Sequence, residues 1–190
     1  MRIIGIDPGT SVTGIGVIEQ INGSLNMIHF ESVTMNSKDP MTSRLKRIYD
    51  ECLFCIKKYR PEELAIETAF YSKNIQSTMK LGQARGVAII AGLNSDVRIS
   101  EYSPREVKKS VTGNGASSKE QVLYMVCSIL GLKKISIPTD SSDALAIALC
   151  HLFNLQSDFL SSGKKSGKTP LKSSWKAFIE KNPERILRNN

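Results

Sequence analysis

Three observations predict an α/β layered domain with a mixed sheet. Residues 2–7 form an apolar run that reads as a central strand. Residues 12–20 and 24–35 flank Asn22-Gly23, a dipeptide suited to a two-residue hairpin, so three strands open the chain and the second and third pair antiparallel. Helical and strand patterns then alternate, which favours parallel pairing with helices covering the sheet.

The later elements follow in order. A helix is expected near 40–59, with Pro40 early and Leu45, Ile48, Cys52, Cys55 and Tyr59 on one face, stopped by Arg60-Pro61. Residues 63–67 give a short strand ending at Glu67. The next helix, over about 75–93, carries Leu81, Ala84, Ala88 and Ile89 with Gly82, Gly86 and Gly92, small residues that permit close approach by the core or by another chain. A fifth strand covers 97–102. Pro104 then starts a short basic helix through Arg105, Lys108 and Lys109, and Gly113-Asn114-Gly115 reads as a flexible loop. Ser117 or Ser118, followed three residues later by Glu120 or Gln121, starts a helix that ends near Leu130 at Gly131. The last core helix spans about 140–155.

The 190 residues suffice for one domain plus a tail, with the boundary expected at 157/158. A composition of 41% hydrophobic and 23% charged residues excludes a disordered chain, and no apolar run approaches the ~20 residues of a membrane span. The N-terminus opens directly into a strand pattern without a signal-peptide layout, so a cytoplasmic location is expected. Of the net charge of +8, residues 158–190 carry +5, from eight Lys/Arg against three Asp/Glu. That basic character is compatible with a polyanionic partner. Ser161 to Lys168 reads as a basic linker, and Trp175, Phe178 and Ile179 recur as a short docking helix would place them.

Cys52 and Cys55 have the spacing of half a zinc site, yet no second Cys or His pair completes it. They read as core thiols, and the isolated His29 and His151 read as structural. Four carboxylates stand out instead. Asp7 ends the first apolar run, before Pro8-Gly9-Thr10, where a turn role competes with chemistry. Glu67 ends Leu64-Ala65-Ile66, where Glu is poorly suited unless paired with a cation. Asp140 and Asp143 open an apolar helix, where Asp at an N-cap would serve as well. Acids at the ends of buried elements need compensation, which two divalent ions would supply, and phosphodiester hydrolysis uses such a pair.

The ordered set becomes specific as a resemblance. Gly5-Ile6-Asp7-Pro8-Gly9 with Thr13-Gly14-x-Gly16-Val17, then Ala65-Ile66-Glu67, then Lys80 through Ala88, then Asp140-x-x-Asp143-Ala144-Leu145-Ala146, is similar to the RuvC-type Holliday-junction resolvases over roughly residues 1–155. The resemblance implies a ribonuclease-H-like five-stranded mixed sheet flanked by helices. It also implies a homodimer that cleaves four-way DNA junctions with Mg²⁺, for which Mn²⁺ substitutes, and works with RuvA–RuvB in recombination and repair. Asp7, Glu67, Asp140 and Asp143 match the family's catalytic, metal-binding acids. Phe70 matches an aromatic near the junction crossover, Lys108 and Lys119 match basic positions near the scissile phosphate, and the 75–93 helix matches the dimerisation helix.

Three rivals remain on the sequence alone. A sugar-kinase or actin-like ATPase shares the Asp-Pro-Gly-Thr loop but needs two domains and a second Gly-rich motif. A non-catalytic nucleic-acid-binding protein of this fold would lack an acid, and all four are present. A ribonuclease-H-like nuclease acting on structured RNA is the closest competitor, because the acids report chemistry and not substrate shape.

Overall fold

The computed structural model describes residues 1–68, 74–132 and 137–162, with side chains to Asp158. Strands β1 (Arg2–Asp7), β2 (Val12–Ile21) and β3 (Ser24–Thr34) form an antiparallel meander. Strands β4 (Glu63–Glu67) and β5 (Arg98–Tyr102) join in parallel beyond β1, giving one sheet of order β3-β2-β1-β4-β5. Asn22 and Gly23 both take positive φ, 50° and 83°, as the tight hairpin turn requires.

Helices α1 (Met41–Tyr59) and α2 (Ile75–Leu93) pack on each other beside one core layer. Helices α3 (Pro104–Thr112), α4 (Lys119–Ile129) and α5 (Thr139–Ser162) contribute the other. The two-residue strand period sorts side chains between these layers. Ile4 and Ile6 of β1, Ile15 and Val17 of β2, and Leu64 and Ile66 of β4 enter the α1–α2 core. Ile3, Ile18 and Ala65 enter the α3–α5 core. Asp7 and Glu67 are in phase with Ile3 and Ala65, so alternation puts both carboxylates on the side covered by α5.

Helix α5 lies directly on backbone. A Cβ at Gly5 would stand 2.1 Å from the Ala144 carbonyl oxygen, and one at Gly16 would stand 2.8 Å from the Leu145 nitrogen. Gly5 and Gly16 are cross-strand partners, so the two together form the shallow bed that the helix needs. Side chains tie α5 down at its first turn and at its middle. Ser141 and Ser32 share a hydrogen bond of 2.7 Å, and farther along Tyr102 Oη lies 2.7 Å from His151 Nδ1. Glu63, buried at the start of β4, accepts Arg98 at 2.5 Å and faces His151 Nε2 at 3.5 Å.

Three local details depart from the sequence reading. Helix α5 begins at Thr139, so Asp140 sits inside the first turn instead of capping it, and the Ser142 N–H bonds the Pro138 carbonyl. The helix continues to Ser162, past the end expected near 155. The Gly113–Gly115 segment is a hydrogen-bonded turn. Gly113 caps α3 at φ 81°, Asn114 N–H donates to Thr112 Oγ1, and Ala116 N–H donates to Asn114 Oδ1. Cys52, Cys55 and Cys150 are buried thiols with no disulfide. Among the described residues no helix is long and apolar enough to cross a membrane. Phe70, Tyr71 and the Trp175 segment lie outside the described residues.

Candidate active site

Asp7 and Glu67 end adjacent parallel strands. The register pairs Ile6 with Ile66, so the next residue on each strand brings a carboxylate to the same edge of the sheet. On the other flank Asp7 is paired with Gly14, and a Cβ at Gly14 would stand 2.0 Å from the Asp140 carbonyl oxygen. The first turn of α5 is therefore laid over the partner of Asp7, with Asp140 and Asp143 about one turn apart on one face. The Ser141–Ser32 bond fixes that turn, since Ser32 is the cross-strand partner of Gly14.

The loop between β1 and β2 is tight. Thr13, fully buried, accepts from the Gly9 N–H at 3.3 Å and donates to the Gly9 carbonyl at 2.8 Å. At the β4 end, Thr68 N–H and Oγ1 both donate to the Tyr102 carbonyl, at 2.8 and 3.2 Å, which holds the strand one residue beyond Glu67.

The electrostatics record the convergence. Burial, then Asp143, raise Asp7 from 3.8 to about 6, with Asp140 adding to the rise and Lys119 opposing it. Burial, then Asp7 and Asp143, raise Glu67 from 4.5 to about 7, opposed by Lys119 and Lys108. Lys119 Nζ donates to Asp143 Oδ2 at 2.9 Å, and that bond raises the lysine's own pKa. Val107 and Val111 of α3 and Val122 and Val126 of α4 are buried against α5, and this packing delivers both lysines to the carboxylates.

With all four carboxylates ionised, the two lysines would leave an uncompensated negative charge of two. Hard oxygen donors with that deficit fit Mg²⁺ or Mn²⁺. A separate group of His29, Glu31 and Cys55 occurs on β3 and α1, with ligand atoms within 4.8 Å of one another. Burial pushes the Cys55 thiol up to about 12, however, so it is a protonated core group, and His29 stacks on Tyr59 with centroids 4.8 Å apart.

The sequence-predicted residues Asp7, Glu67, Asp140, Asp143, Lys108 and Lys119 thus share one end of the sheet, whereas Phe70 lies outside the described residues. Gly14, Ser32 and Ser141 were not anticipated as site supports. The Thr13-Gly14-x-Gly16-Val17 stretch draws attention to the first, and no signal marks the serine pair.

A mixed sheet of this order, with acids at the ends of its central parallel strands and on the helix across them, defines a domain of the ribonuclease-H-like fold. The family model described as crossover junction endodeoxyribonuclease RuvC matches residues 3–151. A crossover junction endodeoxyribonuclease RuvC of Chloroherpeton thalassium is 43% identical, covering 99% of this chain and all of the relative. Another from Dehalococcoides mccartyi is 45% identical over 80% of this chain and 92% of its own length. The Thermus thermophilus RuvC structure in complex with a Holliday junction substrate superposes with a TM-score of 0.78 at 34% identity, covering 83% of this chain and 96% of that one. The chain belongs to the RuvC family.

Proposed function

We propose that this chain is a divalent-metal-dependent endonuclease that resolves four-way DNA junctions by paired, symmetric incisions. The observation that carries the reading is the meeting of Asp7, Glu67, Asp140 and Asp143, from three separate elements, beside Lys108 and Lys119. Family membership and the junction-bound relative support the substrate class.

Asp7, Glu67, Asp140 and Asp143 would hold two Mg²⁺ ions, with Mn²⁺ substituting. Bound ions supply water activation and charge stabilisation at the attacking and leaving oxygens of an in-line displacement. The chain's own part is placement. Adjacent strand ends fix Asp7 and Glu67, the glycine bed fixes the first turn of α5, and Lys119 holds Asp143 through its 2.9 Å bond to Oδ2. Lys108 and Lys119 neutralise phosphate charge at the scissile position. A water oxygen bonds to phosphorus as the P–O3′ bond breaks. The strand keeps a 5′ phosphate and gains a 3′ hydroxyl, and the nick is ligatable.

Symmetric cutting requires two sites, and α2 offers the surface for a twofold dimer. Ile75, Met79, Ile90 and Leu93 are exposed on it, and nothing lies within 4 Å of a Cβ built at Gly82 or Gly86. At 100° per residue these six positions fall on one face. An exposed apolar stripe of this kind marks an association surface. The partners in this reading would be junction DNA and RuvA–RuvB, the setting recombinational repair in the cytoplasm, and Phe70 would be the candidate aromatic for the junction crossover. The proposed nuclease unit is 1–157, and no role is assigned to 158–190.

End-labelled four-way junction, linear duplex and RNA–DNA hybrid, incubated in parallel with Mg²⁺, test the substrate. Paired nicks on the junction alone agree with the reading. Cutting of the hybrid would retain the acids and overturn the substrate.

A further inference from the structure

The segment from Ser103 to Lys119 carries more positive charge than the acids use. A depression of about 550 Å³ lies between α3 and the turn after it, lined by Ser103, Arg105, Lys109 and the Gly113–Gly115 turn. Arg105 and Lys109 are spaced i, i+4, on one face of α3. Among the described residues neither forms an ion pair, whereas Arg2, Arg85, Arg98 and Lys119 each meet a carboxylate. The acid in the lining, Glu106, is already committed. It accepts the Ser103 N–H at 2.8 Å in a capping box, and its bonds to Ser103 hold its pKa below the ordinary value.

The wall opposite the cations is built rather than loose. Thr112 Oγ1 lies 2.7 Å from both the Lys108 carbonyl and Ser117 Oγ, and it accepts the Asn114 N–H. Gly115 is seated on Arg105: a Cβ there would stand 2.6 Å from Arg105 Cγ and 3.1 Å from its carbonyl oxygen. The turn therefore has a fixed relation to the arginine, and Ser118 then starts α4 with Lys119 as its first residue.

We infer that this depression is a second phosphate site, in which Arg105 and Lys109 hold a non-scissile backbone phosphate of the bound DNA. The inference rests on the function proposed above. A strand with its scissile phosphate beside Lys108 and Lys119 presents further phosphates nearby, and the unpaired cations on the same short segment are placed to receive one. Contacts of this type position the nucleic acid without reading sequence, and each releases condensed counterions.

The test measures junction binding by the full chain carrying Asp7→Asn, so that no cutting intervenes, between about 50 and 200 mM KCl. Arg105→Gln with Lys109→Gln should flatten the plot of log affinity against log salt by ~0.9, the change for one phosphate no longer neutralised, and weaken binding about tenfold or more. Arg105→Lys with Lys109→Arg should restore the slope. A double glutamine variant that melts like its parent and keeps the full slope would overturn the site, as would weakening without a change of slope. A parent that binds no junction would remove the proposed function and this site with it.

Discussion

Gly14 stands directly beneath the Asp140 carbonyl, with 2.0 Å between that oxygen and any Cβ at position 14. The missing side chain is what lets α5 bring its acids down to the partner of Asp7. Gly14→Ala should lift the first turn of α5 by the width of a methyl group. Overpacking of this kind costs about 1–3 kcal/mol of stability. The displacement should also lower cleavage by about 10²-fold, because misplacement near 1 Å has that effect on positioned groups. Thermal melts and single-turnover cleavage check both. A variant that melts lower and cuts at the wild-type rate would separate the glycine from the site.

Asp7 and Glu67 make the metal-free protein's stability depend on pH in a definite direction. Their folded pKa values, about 6 and about 7, exceed the ordinary 3.8 and 4.5. The native state therefore binds more protons than the unfolded chain between these limits, and the stabilisation present at low pH is lost as pH rises through about 4 to 7. Asp7→Asn removes one of the crowded charges. It should raise the metal-free stability at pH 8 by about 1–2 kcal/mol, discounted for partial exposure, and leave pH 4 nearly unchanged. Mg²⁺ should stabilise wild type more at pH 8 than at pH 5, since a cation favours the ionised acids. Melting curves with and without Mg²⁺ at both pH values decide. A wild-type chain whose response to Mg²⁺ is equal at both would contradict the coupling.

Lys119 opposes the rise of both Asp7 and Glu67 while bonding Asp143 at 2.9 Å. Lys119→Ala should reduce the cleavage rate by about 10–10²-fold, in the range of one lost electrostatic contact. It should also move the acid limb of the pH–rate profile upward, because the carboxylates then ionise later. A lower rate with an unmoved limb would confine Lys119 to binding DNA.

Two side chains on the outer face of α2 test the dimer. Met79 and Ile90 are 64% and 48% exposed and lie three turns apart on one side of the helix. Met79→Asp with Ile90→Asp should convert a dimer to a monomer in sedimentation equilibrium and abolish paired incision, while the melt stays within a few degrees. A wild-type chain that sediments as a monomer at micromolar concentration would contradict the dimer.

The α/β class, the element order and the place of each acid at the end of an element were legible because each rests on a local signal. The apolar runs at 2–7 and 63–67 end in Asp7 and Glu67, but the face that the two carboxylates share is set by the strand pairing. The β3 register was not legible. Counting back from the Asn22-Gly23 turn pairs Ile18 with Met27, but Val17 pairs with His29, so a bulge has added one residue. That shift sets Ser32 opposite Gly14, within reach of Ser141, and nothing in the sequence marks it. Asp140 was legible as an acid at a helix start. Its place inside the turn depends on the packing of α5 against Gly14, which is a tertiary fact. The stiffness of Gly113-Asn114-Gly115 was hidden for the same reason. Glycines signal freedom locally, and the Thr112 and Asn114 side chains remove it.

The most direct test of the central claim compares wild type with Asp7→Asn on an end-labelled four-way junction in a denaturing gel, with Mg²⁺ and with EDTA. Symmetric nicks in wild type with Mg²⁺ alone, and intact junction still bound by the variant, are the predicted result. Cutting that survives Asp7→Asn or EDTA would contradict a metal site built on these carboxylates.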